Sequence, residues 1–239
     1  MAELDDAYRD KFGMNFLDHV AIDEALNFGT PFSFTFEQNG ALVQNIFPIQ
    51  KLEGEQISSS SKAELALHTE AAFYENRPDI LLLFCVRADE NAGTTYSEMH
   101  EILRSLPRWA IEQLKQPNFL FHPDLSFTMN GASKEPRLQA IFTENLSEMT
   151  YDMTAVKAIT DDAATALDFL ETAIEYCKKT IYLRPGDFLA IPNRRTVHGR
   201  THFSPRFDGR DRWLKRIICR DNSRPAYNDP LVNEFSPSL

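Results

Sequence analysis

Two extended runs far apart in the chain carry residues that one ion could gather, and that convergence constrains the fold more than any other feature. The first is ELALHTEAAF, which holds His68 and Glu70. Alternate side chains of a strand leave on the same face, so an imidazole and a carboxylate two apart can reach one cation from one side. The second is LRPGDFLAIPNRRTVHGR, which contains His198. It reads as strand, tight Pro-Gly-Asp turn and strand, so His198 also arrives from a sheet. For all three to meet, an early strand and a late strand must come together.

The run RWLKRIIC follows, and its period of two places Arg212, Leu214, Arg216 and Ile218 on one face. Two arginines beside two aliphatics do not suit a solvated strand; they suit a pocket wall that holds anions. Taken singly these signals are weak, because H-x-E recurs by chance and a lone histidine is more often a surface or satisfied core residue. Together they are specific. Two histidines and one carboxylate on one face of a cation, with its other positions open, form the donor set of non-haem Fe(II) oxygenases. Arg212 stands where an enzyme with a keto-diacid co-substrate needs a guanidinium to hold the far carboxylate.

The rest of the chain supplies a scaffold. DILLLFCVR reads as a buried strand, apolar without alternation. SEMHEILRSLPRWAIEQLKQ reads as two helices meeting at Pro107. Residues 161–179 form an amphipathic helix with Asp at its start, Lys at its end and a core stripe of Leu167, Leu170 and Ile174. The SSSSK run, residues 58–62, reads as a mobile loop. Strands with flanking helices, and ligands from an early and a late strand, predict a mainly β fold: a double-stranded β-helix, the cupin-like jelly-roll barrel that encloses a ligand cavity. A length of 239 residues at 43% hydrophobic content fits one domain over 1–239 with a short N-terminal helical segment.

No apolar run reaches the roughly eighteen residues of a membrane span, and the N-terminus is acidic where a signal peptide is basic. Cys85, Cys177 and Cys219 lack metal-ligand spacing and read as reduced thiols of a cytoplasmic protein. A formal charge of −10 opposes nucleic acid. His19, His100, His122 and His202 show no partner pattern and read as surface residues.

GTPFSFTFEQNGALVQNIFP, QISSSSKAELALHTEAAF, RPDILLLFCVRADENAGTT, LRPGDFLAIPNRRTVHGR and PRFDGRDRWLKRIICRD, in that order, resemble the clavaminate synthase-like branch of the Fe(II)/2-oxoglutarate dioxygenases. That branch contains hydroxylases of asparagine, arginine and lysine. The resemblance implies that His68, Glu70 and His198 hold Fe(II) and that Arg212 binds the distal carboxylate of 2-oxoglutarate. Thr95 adds a hydroxyl there, or Thr94 if the alignment slips by one. It implies Arg216 for the substrate's α-carboxylate, Gln38 and Ser58 for its head group or the co-substrate, and Asp152 for its side chain. For Asp152 the plainer alternative is a helix N-cap or loop residue.

The implied reaction consumes 2-oxoglutarate and O2, releases succinate and CO2, and hydroxylates an unactivated C–H. Glu70 fills the position a halide would need, so a hydroxylase is expected and not a halogenase. Arg216 and Asp152 together suit a free L-amino acid. Lysine is favoured, at C3 or C4, ahead of arginine, asparagine or a carrier-tethered amino acid; Thr150 stands where a second carboxylate would have suited a guanidinium. Relatives carry a longer helical region ahead of the GTPF block, which about thirty residues precede here. A partner subunit in a homo-oligomer, or DDAYRDKFGMNFLDHVAIDEAL folded back as a helix, is expected to cover that side. Two readings from other classes remain. A zinc hydrolase would leave Arg212 and Arg216 without a role, and a non-catalytic metal-binding jelly roll would not need an intact ligand set with both arginines.

Overall fold

A computed structural model describes residues 14–123, 127–128 and 135–235. In chain order the first elements are helix α1 (Phe16–Ala25) and strands β1 (Thr30–Phe34), β2 (Gln44–Ile46), β3 (Leu65–His68), β4 (Ile80–Arg87) and β5 (Thr94–Glu98). Helices α2 (Met99–Ser105) and α3 (Arg108–Leu114) follow, then strands β6 (Phe119–Phe121), β7 (Arg137–Gln139) and β8 (Val156–Ala158). Helix α4 (Asp161–Tyr176) leads to β9 (Lys179–Ile181), β10 (Phe188–Pro192), β11 (Thr196–Arg200), β12 (Trp213–Arg220) and β13 (Val232–Glu234).

The strands form three antiparallel sheets. The largest runs β10-β4-β12-β1-β13, with β2 also pairing along β12; the second runs β3-β11-β5-β9; the third is β7-β6-β8. The first two sheets enclose a cavity, which is walled by Leu81, Leu83 and Leu214 from one and by Leu65, His68 and His198 from the other. This is the expected jelly roll, mainly β with flanking helices.

Strand β12 shows how the sequence specifies the layers. Leu214 and Arg216 face the cavity. Ile217 and Cys219 face outward and pack with Leu17, Ala21, Ile22 and Ala25 of α1. Burying an aliphatic side chain of this size contributes roughly 1.5–3 kcal/mol, so α1 closes the outer face of the sheet. Asn15 and Asp18 form a capping box at the start of α1. Buried Lys215 donates to Asp18 Oδ1 at 2.8 Å, tying the helix to β12. The N-terminal segment therefore folds back as a helix over Phe16–Ala25; its portion before Met14 lies outside the described residues.

Helices α2 and α3 meet at Pro107 as expected. Helix α4 starts at Thr160, whose Oγ1 accepts from the Ala163 N–H at 3.2 Å, and buries Leu167, Leu170 and Ile174. It ends at Tyr176, short of the expected Lys179, because Lys179 pairs with Tyr96 in the second sheet. Cys85 and Cys219 are buried and Cys177 is half-buried, all as free thiols. No helix among the described residues is long and apolar enough to cross a membrane.

Candidate metal centre and cavity

Strand β11 pairs with β3 so that His198 lies opposite His68, and their ring centroids are 4.5 Å apart. The expected extended run through Glu70 stops sooner. Strand β3 ends at His68, Glu70 occupies a turn, and Ala71 adopts φ 52°. The carboxylate still joins the histidines: ligand atoms of His68, Glu70 and His198 all lie within 4.8 Å of one another. The next residue, Gly199, is required by packing, because a Cβ there would come 2.3 Å from the Leu65 carbonyl oxygen.

The protonation pattern suits a cation. His68 Nδ1 stands 2.8 Å from the Ala66 carbonyl oxygen. A carbonyl only accepts, so Nδ1 donates to it and Nε2 is the ring nitrogen left to face an ion. His198 Nε2 faces Glu70 Oε2 at 3.5 Å. Burial, helped by the neighbouring His68, pushes His198 down to about 4 and leaves it neutral. Burial alone would raise the Glu70 carboxyl, but Arg216 and the two histidines hold it well below the usual carboxylate range. Two imidazoles and one carboxylate on one wall are the donor set that Fe(II) accepts.

The opposite wall is cationic. Arg212, 7% exposed, lines the cavity, and burial pushes its guanidinium down to about 10, still charged at neutral pH. No carboxylate pairs with it among the described residues. Thr94 lines the same cavity, and its buried Oγ1 has no hydrogen-bond partner among the described residues. A buried cation and an orphan hydroxyl in one cavity are unsatisfied until an anion with acceptor oxygens arrives. A dicarboxylate co-substrate fits both.

The remaining expected residues divide. Ser58 lines the cavity. Thr95 lies on the other face of β5, where a Cβ on Gly199 would come within 3.0 Å of its Oγ1. Arg216 lines the cavity but is already engaged. Its Nη1 donates to Glu70 Oε1 at 2.7 Å, its Nη2 to Glu37 Oε2 at 2.9 Å and its Nε to Gln44 Oε1 at 2.9 Å. Gln38 is exposed, and its carboxamide brackets the Asn45 main chain, with both contacts at 2.9 Å. From the same loop buried Glu37, which the sequence reading did not single out, pairs with Arg216.

Asp152 stands opposite His68 in an isolated antiparallel bridge. The flanking bonds, Thr69 N–H to Tyr151 O at 2.7 Å and Met153 N–H to Leu67 O at 3.3 Å, make this the non-hydrogen-bonded pair, whose side chains approach closely on one face. Its Oδ1 accepts from the Thr154 N–H and Oγ1, both at 2.8 Å, and from the Ala155 N–H at 3.1 Å. Oδ1 therefore stabilises a turn, and among the described residues nothing bonds Oδ2. Arg200, also missed, lines the cavity. It donates to Ser60 Oγ at 2.8 Å and to the Ser61 and Ala63 carbonyls, each at 3.2 Å. The serine run is thus pinned, with Ser60 and Ser61 buried.

Residues 10–218 match the family model described as taurine catabolism dioxygenase TauD, TfdA family. The chain is 36% identical over 207 residues to the L-asparagine oxygenase of Streptomyces coelicolor, covering 86% of this chain and 62% of the relative. It is 32% identical over 209 residues to the L-lysine 3-hydroxylase of Catenulispora acidiphila, covering 83% of this chain and 58% of the relative. It therefore spans about three fifths of the length of these relatives. The solved structure of asparagine oxygenase in complex with Fe(II), 2S,3S-3-hydroxyasparagine and succinate superposes with TM-score 0.79 at 34% identity, covering 84% of this chain and 63% of that one.

Proposed function

The chain belongs to the TauD/TfdA dioxygenase family, and from that premise we propose that it hydroxylates an unactivated C–H of a free L-amino acid, using Fe(II), 2-oxoglutarate and O2. The observation that carries this reading is Arg212: a buried guanidinium without a carboxylate partner among the described residues, sharing a cavity with His68, Glu70 and His198.

His68 Nε2, Glu70 Oε2 and His198 Nε2 would hold Fe(II). Bound together, Fe(II) and 2-oxoglutarate supply oxidative decarboxylation to succinate and CO2, with one atom of O2 delivered to the substrate carbon. The protein supplies placement. Arg212 takes the distal carboxylate of 2-oxoglutarate as a charge-assisted pair. Thr94 takes the accompanying hydroxyl role in preference to Thr95, because its Oγ1 shares the cavity with Arg212. The apolar walls, Leu81, Leu83 and Leu214, exclude water from the reacting carbon.

Arg216 and Glu37 lie side by side as a cation and an anion, the complement of a zwitterionic head group: carboxylate to Arg216, ammonium toward Glu37. Ser58 adds a hydroxyl at the same cavity. Asp152, on the face of His68, offers Oδ2 to the substrate's far end. One carboxylate, with Thr150 and not a second acidic residue two positions before it in sequence, suits an ammonium better than a guanidinium, so lysine is the preferred substrate ahead of arginine and asparagine. A screen of the twenty amino acids with Fe(II) and 2-oxoglutarate tests the proposal. At least one should give succinate and a product heavier by one oxygen in equal amounts; succinate release that no amino acid stimulates would overturn it.

A further inference from the structure

We propose that Asn193 is a positioning residue for Glu70, replacing the β-ladder that ends one step too early to hold it. This rests on reading His68, Glu70 and His198 as a metal site.

His68 is fixed by its strand and His198 by two neighbouring strands. Glu70 has neither support, since it lies past the end of β3 and before a residue at φ 52°. A non-glycine residue in that region is strained and persists only where its surroundings enforce it. Among the described residues, both hydrogen bonds to the Glu70 main chain come from one side chain. Asn193 Oδ1 accepts from the Glu70 N–H at 2.6 Å, and Asn193 Nδ2 donates to the Glu70 carbonyl at 3.1 Å. A carboxamide presenting both groups mimics a peptide of a paired strand.

The same Nδ2 donates to the Pro78 carbonyl at 2.8 Å, and the Asn193 N–H donates to the Asp79 carbonyl at 2.8 Å. Asn193 is fully buried, so water cannot replace these bonds. It also lies just before β11, the strand that delivers His198. One amide thus ties the turn of the early carboxylate to the connection between β10 and β11, the strand of the late histidine.

The test uses Mn(II) as an air-stable probe, titrated into the full chain and its variants, with melting temperatures read with and without the ion. Asn193→Ala should weaken Mn(II) binding by roughly ten- to a hundredfold, the usual cost of losing an outer partner of a ligand. The metal-induced rise in melting temperature should shrink relative to the variant's own metal-free baseline. A merely structural asparagine would lower both melting temperatures together and leave affinity unchanged. Asn193→Asp keeps the shape and the acceptor toward the Glu70 N–H but sets an oxygen against two carbonyls in place of the donor, and it should also weaken binding in the same titration. If the alanine variant fails to fold, the aspartate variant decides. Wild-type affinity in a folded variant overturns the role of Asn193; a wild type that does not bind Mn(II) overturns the metal site and this inference with it.

Discussion

Arg216 Nη1 stands 2.7 Å from Glu70 Oε1, while Oε2 of the same carboxylate faces His198. The guanidinium thus occupies one oxygen of the ligand and leaves the other for a cation. Because Arg216 also pairs with Glu37, it joins the metal centre to the proposed seat of the amino-acid head group. Arg212 lies on the same face of the chain but has no such bonds among the described residues, and this difference is what separates their proposed roles.

Arg212→Ala should raise the apparent KM for 2-oxoglutarate. Losing charge-assisted hydrogen bonds worth roughly 1.5–3 kcal/mol each corresponds to about ten- to a hundredfold or more. Arg216→Ala should act mainly on the amino-acid KM and on metal affinity. Steady-state kinetics varying each substrate in turn check this; the same defect against both ligands in both variants contradicts the separation.

Much of this site is legible in the sequence. The period of two in RWLKRIIC places Arg212, Leu214 and Arg216 at the cavity, because a central strand packed on both faces keeps strict alternation. His68 and His198 are legible through the H-T-E triplet and the HGR run instead, since β3 is an edge strand and its register with β11 shifts after His198. Glu70 is less so: its place depends on Asn193, far away in sequence, and on a strained turn no local pattern announces. The loop after β1 turns through Gln38 and Asn39, both at positive φ. That turn swings Gln38 outward and leaves Glu37 paired with Arg216, a placement no local pattern announces. The serine run reads as a mobile loop, because the Arg200 that bonds it comes from a distant strand.

Acid should loosen the metal-free protein in a defined window. In the unfolded chain His198 takes a proton near 6.5, but in the folded protein only near 4. Between these values the unfolded state binds more protons, so stability falls as pH drops. Glu70, held below its ordinary 4.5, adds a further loss below that value. Melting temperatures of the metal-free wild type should therefore decline from about pH 6.5 downward more steeply than those of His198→Ala. Parallel curves would contradict a buried neutral His198.

Asp152→Asn preserves shape and the turn bonds at Oδ1 while removing the charge. If Oδ2 meets a side-chain ammonium, kcat/KM for lysine should fall at least about tenfold, since truncating one partner of a desolvated charge pair costs on the order of 2–5 kcal/mol. The value for glutamine or norleucine should change little. The informative quantity is the ratio of the two specificities in wild type and variant. An unchanged ratio means that Asp152 does not read the side chain, and the preference for lysine goes with it.

His68, Glu70, His198 and Arg212 are proposed to form one binding unit for Fe(II) and 2-oxoglutarate, and anaerobic titration of both into the protein tests that most directly. The wild type should develop a weak visible charge-transfer band that saturates with each component. His198→Ala should keep its fold and show no band, and Arg212→Ala should need more 2-oxoglutarate to reach it. A wild type that gives no band, or a His198→Ala variant that gives an undiminished one, contradicts the site.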